Sequence, residues 1–505
     1  MSFKKNILAN YIGLFYSQII TIVVLPSYLQ YLGSTGFGLV AVYMALQPLL
    51  NLLNIGLVPA LSREIACHRE INEKFIRIQK LLRSLEIIFL LLNFLVILII
   101  FCFSPWIAHH WLQLDNTPHH EVIRCIEIMG IIIAFRLFSD LYRESILAME
   151  KQVWLNGVSI IITTIRYIGA YVLLRWISRD PIHFFEYQLL ASVTEAILLG
   201  IKFYSELSIP AKFLMRFKIS WGLLREVAPY AGGLFYSSIL WFFATQSDKF
   251  VLSHILSLST YGYFGLVMLI SSGIMQCIVP INLAFLPRLT NLFSQGKKES
   301  VSALYRQITQ IVAVIIFPVI AIVAIFGEQI VYVLTGNRTA SNWAGPILFW
   351  YALGNGFFAM NAFTFYLQSA IGKVKLQVII DTVFSIFSVP LIVFFAYHSG
   401  AKGVAIAGCV MRGILFFIQS ALVHNTYMPG LHCKWLMKDI FPILSVTSLA
   451  VWCLSMILAD FKSMNRAENL IILVAFTCFL FIVSFVTSST CRYYFLNFIC
   501  RKRTS

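Results

Sequence analysis

The sequence predicts an all-α integral membrane protein of about 14 transmembrane helices, built as two pseudo-symmetric six-helix lobes plus two C-terminal helices. Three observations carry this reading. Hydrophobic residues make up 59% of the 505 residues and charged residues only 12%, too few charges to coat soluble domains. Apolar runs of about 20 residues recur from end to end. A block near residue 13 returns near residue 233. Such a composition excludes a soluble enzyme, a disordered chain and a coiled coil.

Taken in order, the spans fall at roughly 7–30, 37–60, 84–104, 122–141, 153–174, 184–204, 228–250, 262–286, 307–327, 344–367, 376–397, 403–424, 440–458 and 469–489. Lys4 and Lys5 precede the first run as in a signal peptide. The run continues with no small-residue cleavage site, so it reads as a retained helix. Pro26, Pro48, Pro280, Pro318 and Pro390 fall inside spans, where each frees a backbone carbonyl and favours a kink. No loop exceeds about two dozen residues, which leaves no room for a soluble domain.

Charge fixes the expected orientation. With the N-terminus in the cytoplasm, roughly 27 of the 38 Lys and Arg fall in cytoplasmic segments, about 7 outside and about 4 in spans. Both termini then face the cytoplasm, and the tail Arg501-Lys502-Arg503 agrees. The net charge of +16 therefore reflects topology and calls for no nucleic acid. Two cytoplasmic loops are amphipathic. In one, Leu61, Ile65, Ile71, Phe75 and Ile78 oppose Arg63, Arg69, Lys74, Arg77 and Lys80. The other, Lys212–Arg225, carries Phe213, Phe217 and Trp221. They either anchor the topology or contact a lipid substrate at the anionic inner leaflet.

The internal repeat divides the chain. Gly13-Leu14-Phe15-Tyr16-Ser17-Gln18-Ile19 recurs as Gly233-Leu234-Phe235-Tyr236-Ser237-Ser238-Ile239. Gly38-Leu39-Val40 recurs as Gly265-Leu266-Val267, Pro59 and Arg63 as Pro287 and Arg288, and Lys151 as Lys373. The expected layout is an N-lobe at 1–205, a basic linker at 206–226, a C-lobe at 227–425, and two added helices with a basic tail at 426–505. Six spans per lobe is an even number, so both lobes share one orientation, as in transporters whose halves are related by an axis along the membrane normal.

Ionisable residues within spans are costly, by at least about 2.5–3.5 kcal/mol at mid-bilayer, and mark cavities or partners. Arg166, Glu195 and Arg412 lie mid-span. Arg136 and Asp140 stand one turn apart and can pair. Asp381 lies in the inner part of span eleven, and Asp248-Lys249 closes span seven, as a site pair or an interfacial anchor. Glu86 has Arg83 one turn away. Glu195 can neutralise one mid-span arginine, which leaves a cation for an anionic ligand. A guanidinium grips phosphate bidentately. Glu195, Asp248, Asp381 and Asp140 are candidates for ion coupling.

Trp106, Trp111, Trp343 and Trp350 fit an interfacial belt. The ten cysteines form no CxxC spacing and suggest neither a disulfide framework nor a metal site. His109-His110 and His119-His120 share an outer loop without a matching carboxylate cluster, so no metal is inferred there. No phosphate-binding GxxxxGK[ST], HExxH or GxSxG motif occurs, and no cofactor is expected.

Three segments carry a resemblance. Leu32-Gly33 to Phe37-Gly38 forms a Leu-Gly-x-x-x-aromatic-Gly turn. Gln246-Ser247-Asp248-Lys249-Phe250-Val251-Leu252 precedes Tyr261-Gly262-Tyr263-Phe264, and Phe285-Leu286-Pro287-Arg288-Leu289-Thr290 follows. Through them the chain resembles the polysaccharide transporter family, the Wzx-type flippases of the multidrug/oligosaccharidyl-lipid/polysaccharide superfamily, over nearly its whole length. The resemblance implies a MATE-like fold around a cationic cavity. It implies transfer of an undecaprenyl-pyrophosphate-linked oligosaccharide, such as an O-antigen unit of lipopolysaccharide, from the inner to the outer leaflet of a bacterial inner membrane. It also implies ion-gradient coupling. Asp248 and Lys249 are then the motif pair, and Arg288 follows the matched proline. The expected cationic set is Arg166, Arg412, Arg136, Arg288 and Lys249. Membrane lipids are partners, with the polysaccharide polymerase and chain-length machinery as further candidates. Two other transport readings stay open, a multidrug or metabolite exporter and a peptidoglycan lipid-precursor flippase. An exporter of cations would favour an acidic cavity, and mid-span Arg166 and Arg412 argue against it. Short outer loops disfavour an enzyme.

Overall fold

Proline and glycine place the breaks between helices. The computed structural model describes residues 3–54, 58, 61–62, 65, 72–115, 117–207, 219–373, 375–457 and 464–493. The amphipathic loop at 61–80 is described only in part, and Phe213, Phe217 and the tail Arg501-Lys502-Arg503 lie outside the described residues. All named elements among those residues are helical. Gln113 and Ser257 form an isolated bridge.

The chain divides into two compact units, Met1–Gly265 and Leu266–Ser505. The first holds α1 (Phe3–Val24), α2 (Tyr28–Asn54), α3 (Asn72–Trp106), α4 (His119–Ala148), α5 (Gln152–Thr164), α6 (Ala170–Trp176), α7 (Pro181–Leu207), α8 (Trp221–Ile255) and the start of α9 (Leu258–Gln276). The second holds α10 (Val279–Ser294), α11 (Lys298–Ile325), α12 (Gly327–Thr335), α13 (Arg338–Ile371), α14 (Lys375–Tyr427), α15 (Leu431–Lys434), α16 (Phe441–Ile457) and α17 (Arg466–Thr487).

Among the described residues, nine helical runs are long and apolar enough to cross a membrane by length and composition. The chain is a multi-pass membrane protein. Lys375–Tyr427 includes two of the expected spans, and Asn10–Leu49 overlaps two, those at 7–30 and 37–60. Glycines turn the chain inside them: Gly33 at φ 71° and Gly400 at φ 58° occupy backbone conformations that a Cβ would strain. The expected spans at 122–141, 228–250 and 344–367 fall in the continuous helices α4, α8 and α13.

One expected span differs. The run 262–286 is not one helix; α9 ends at Gln276 and α10 begins at Val279 with Pro280 in its first turn. Proline has no N–H to donate and fits a helix start better than its interior. Pro48, Pro318 and Pro390 do lie inside helices, while Pro26 sits in a short 3-10 turn between α1 and α2.

In the first unit, polar side chains join α1 to α5. Asn10 donates to Gln152 at 3.0 Å, Asn156 donates to Asn10 at 2.6 Å, and Tyr16 lies 2.6 Å from Thr164. Such bonds hold helices together where lipid removes the hydrophobic drive. Elsewhere in this unit the backbones of α2 and α9 meet closely. A Cβ at Gly38 would lie 2.1 Å from the Leu258 carbonyl oxygen, and one at Gly262 2.7 Å from that of Ser34. Leu258 N donates to Gln113 O at 2.8 Å, and Trp111 Nε1 donates to Ser253 at 3.0 Å.

In the second unit, α16 and α17 dock on α11 through Ile322, Phe326, Val451, Leu473 and Leu480. A polar clasp accompanies them. Arg306 grips Asp439 bidentately at 2.5 and 2.9 Å, and Gln310 donates to the same carboxylate at 2.5 Å. The Gln310 oxygen in turn accepts from Ser488, Ser489 and Thr490 N. Asp439 is 1% exposed, so its charge depends on these donors. Asp439→Asn therefore lowers stability by about 1.5–3 kcal/mol, the range for hydrogen bonds to a charged group. Thermal unfolding of the purified protein in detergent checks this, with a lower midpoint expected.

Candidate functional site

The buried polar centre of the first unit forms where α5 changes to a wider helix. Residues Ile165–Gly169 make a π-helical turn, a deviation common at functional sites. A wider turn disrupts the backbone ladder, and side chains attend to its carbonyls. Tyr187 donates to Ile165 O at 2.8 Å, Gln188 to Arg166 O at 3.1 Å, and Tyr28 to Tyr167 O at 2.7 Å. With three carbonyls held, the turn keeps Arg166 buried, at 8% exposure.

Arg166 Nη2 donates to Glu195 Oε2 at 2.7 Å and to Ser192 at 3.3 Å. Glu195, on α7, is 5% exposed. Its other oxygen accepts from Arg143 of α4, whose Nη1 donates to Ser159 at 2.9 Å. One carboxylate thus holds two guanidiniums. The Arg166 Nε is buried and has no hydrogen-bond partner. Arg136, one helix with Arg143, donates to the Tyr43 hydroxyl at 3.3 Å. Asp140 lies between these two arginines in sequence and is half-buried.

The expectation that Glu195 neutralises one arginine is thus incomplete: it also engages Arg143. Arg143 was not among the candidates because it follows the apolar run of span four. Only the packing of α4 on α7 brings it to Glu195.

A second cluster surrounds Glu86, 4% exposed on α3. Arg83 pairs with it at 2.6 Å, Tyr142 donates at 3.1 Å, and Tyr204 also donates. The local Arg83–Glu86 pairing was legible from spacing, whereas the tyrosines come from α4 and α7.

Other candidates occupy separate places. Lys249 turns back on its own helix, donating to Thr245 O at 2.6 Å and Gln246 at 2.8 Å, with Asp248 at 3.8 Å. In the second unit, Arg412 donates to Asn355 at 2.6 Å and lies over the Phe358 ring at 5.8 Å. Among the described residues it makes no ion pair. Asp381 accepts from Gln377 at 2.9 Å, at the end of a buried amide network through Gln368, Gln419 and Asn361. Arg288 is exposed on α10. His109 and His119 stack at 4.2 Å, and no group of three metal-ligating side chains occurs among the described residues. The second unit also holds an apolar cavity of about 610 Å³, lined by Phe317, Phe357, Phe416, Leu436 and Trp452.

Comparison with known proteins decides the family. The model for "Polysaccharide biosynthesis protein" matches residues 3–293. The chain belongs to this polysaccharide biosynthesis family. A Shigella flexneri protein provisionally named an O-antigen transporter is 22% identical over 416 residues, covering 81% of this chain and 94% of that protein. Among solved structures, the lipid II flippase MurJ in an inward closed conformation matches with a TM-score of 0.71 and 16% identity. That match covers 94% of this chain and 97% of MurJ. An inward-facing MATE multidrug-resistance transporter matches with a TM-score of 0.67 and 13% identity, over 81% and 94% of the two chains. The fold of this family member is therefore like that of MurJ and the MATE transporter.

The Glu195 arrangement makes a specific prediction. Glu195→Ala leaves two guanidiniums without their carboxylate, and breaking a buried ion pair from one side costs about 3–5 kcal/mol. Tyr187→Phe removes one carbonyl cap and costs about 1 kcal/mol. Melting midpoints of the purified variants should fall in that order, the alanine variant furthest.

Proposed function

We propose that this family member is a flippase that moves an undecaprenyl-pyrophosphate-linked oligosaccharide from the inner to the outer leaflet of a bacterial inner membrane. The observation that carries the reading is the Arg143–Glu195–Arg166 cluster. One buried carboxylate faces the buried Arg166 and the half-buried Arg143, and Arg136 adds a third cation nearby. The Arg166 Nε is a buried donor left without a hydrogen-bond partner. An anionic ligand satisfies this donor and the surplus charge together, and pyrophosphate suits the planar guanidinium fork.

Arg412, held by a neutral amide, is a further member of the cationic set. Both termini face the cytoplasm, and the two six-helix lobes at 1–205 and 227–425 alternate access to the two leaflets. Asp248, Glu195, Asp381 and Asp140 are the residues through which an ion gradient would act. Lys249 and Arg288 stay in the cationic set as weaker members, since Lys249 is engaged by its own helix and Arg288 is exposed. The product, a lipid-linked glycan on the outer leaflet, is what a polysaccharide polymerase and chain-length machinery require.

The test follows a radiolabelled lipid-linked oligosaccharide in cells with and without the protein, its leaflet read by an external glycosidase. The proposal expects outer-leaflet label only with the protein. Arg166→Ala and Arg412→Ala should each reduce it at least tenfold while the variants still insert. Normal transport by both variants would remove these arginines from the account. Unchanged leaflet distribution with extrusion of a cationic dye would replace the flippase by an exporter.

A further inference from the structure

A cluster of hydrogen-bond donors without an acid lies at the end of a membrane-crossing run, apart from the Glu195 arginines. The run Gln152–Trp176 is long and apolar enough to cross. Arg175 stands in its last turn, and Arg179 follows before α7 begins. Both arginines are exposed. Three rings hold them. Arg175 Nη1 donates to the Tyr171 hydroxyl at 3.1 Å, and its guanidinium lies over the Trp176 ring at 5.0 Å. Arg179 lies over the ring of Tyr31, on α2, at 5.9 Å. Tyr31 and Tyr171 meet edge to face at 5.6 Å, and Tyr31 donates to the Tyr171 hydroxyl at 3.4 Å.

No acid balances this pair of cations. Among the described residues neither Arg175 nor Arg179 makes an ion pair. Asp180, adjacent in sequence, is engaged by α7: its Oδ1 accepts from Ile182 N at 2.8 Å, and its Oδ2 lies 3.8 Å from His183.

Hydrogen-bond polarity decides the ligand chemistry. The Tyr171 oxygen accepts from both Arg175 and Tyr31, so its own hydrogen is left to donate. A guanidinium carries donors and no acceptor. Exposed donors with no acceptor among them suit an anion. A sugar hydroxyl donates as well as accepts and gains less here. A phosphodiester only accepts, and it matches the guanidinium fork. The neighbours indicate what carries the phosphate. Trp176 is 67% exposed and Ile177 74% exposed, at the end of the crossing run. Apolar side chains there meet lipid at the headgroup level, and a free solute phosphate gains nothing from them.

We propose that Tyr31, Tyr171, Arg175 and Arg179 bind the headgroup of an anionic phospholipid, with its acyl chains against Trp176 and Ile177. The bound headgroup joins the end of α6 to α2, two residues before the Gly33 turn. This site needs neither the flippase reading nor a choice of leaflet.

Native mass spectrometry of the full-length protein tests it. The purified protein, stripped of lipid in detergent, receives equimolar dioleoyl phosphatidylglycerol and dioleoyl phosphatidylcholine, which share their acyl chains. The tightest-held lipid of the wild type should be phosphatidylglycerol. Arg175→Gln and Arg179→Gln should each cut that preference about fivefold, the effect of one cation at a membrane surface, and the double variant should remove most of it. Tyr171→Phe should weaken it less than either. Arg124→Gln removes another exposed arginine, one with Glu127 at 3.9 Å, and should leave the preference unchanged. Melting midpoints of the arginine variants should match the wild type, since these side chains are exposed. Millimolar inorganic phosphate should not displace the lipid. Equal retention of the two lipids, a preference that survives the double substitution, or an equal loss in Arg124→Gln would each overturn the proposal. Displacement by phosphate would overturn it in favour of a free-anion site.

Discussion

The first unit depends on a carboxylate that cannot stand alone. Glu195 is buried within a membrane protein, and an isolated charge there would cost several kcal/mol. Arg166 and Arg143 meet both its oxygens. That requirement draws α4, the π-helical turn after α5, and α7 to one point. Tyr187, Gln188 and Tyr28 support the turn by bonding the carbonyls at 165 to 167. One carboxylate serves two arginines, and Asp140 acts on the neighbouring Arg136 of α4.

The second unit solves its burial problem differently. Asp439 is satisfied by Arg306 and Gln310, and Gln310 reaches on to Ser488, Ser489 and Thr490. This clasp fastens the last two helices to α11 and balances its charge locally. Asp381 ends a chain of amides and accepts from Gln377, with no arginine on it among the described residues. Arg412 is held by Asn355. The two units thus differ in how they hold charged side chains: by ion pairs around Glu195 and Glu86 in the first, and by one ion pair at Asp439 and neutral amides at Asp381 and Arg412 in the second.

Much of the architecture was legible in the sequence because the bilayer imposes it. Apolar length located the helices, and the motif glycines had direct structural uses. Gly33 adopts the left-handed turn, and Gly38 and Gly262 allow α2 and α9 to touch. The break at Gln276–Val279 was missed because a window of apolar residues does not distinguish a kink at Pro280 from a helix start. Among site residues, Arg166 and Glu195 stood out by depth. Arg143 did not, since its role arises from α4 packing on α7. Asp439 was missed for a similar reason, its partners lying more than a hundred residues earlier. One signal could have found both: a charged residue near a span end, on a helix whose neighbour carries an unmatched opposite charge.

The central claim is that the surplus guanidinium charge at Glu195 binds a diphosphate headgroup. Native mass spectrometry of the purified protein with equimolar undecaprenyl diphosphate and undecaprenol tests it directly, with both ligands sharing the same chain. The account predicts preferential retention of the diphosphate by the wild type and loss of that preference in Arg166→Gln. Equal retention of both lipids, or a preference that survives the substitution, would contradict it.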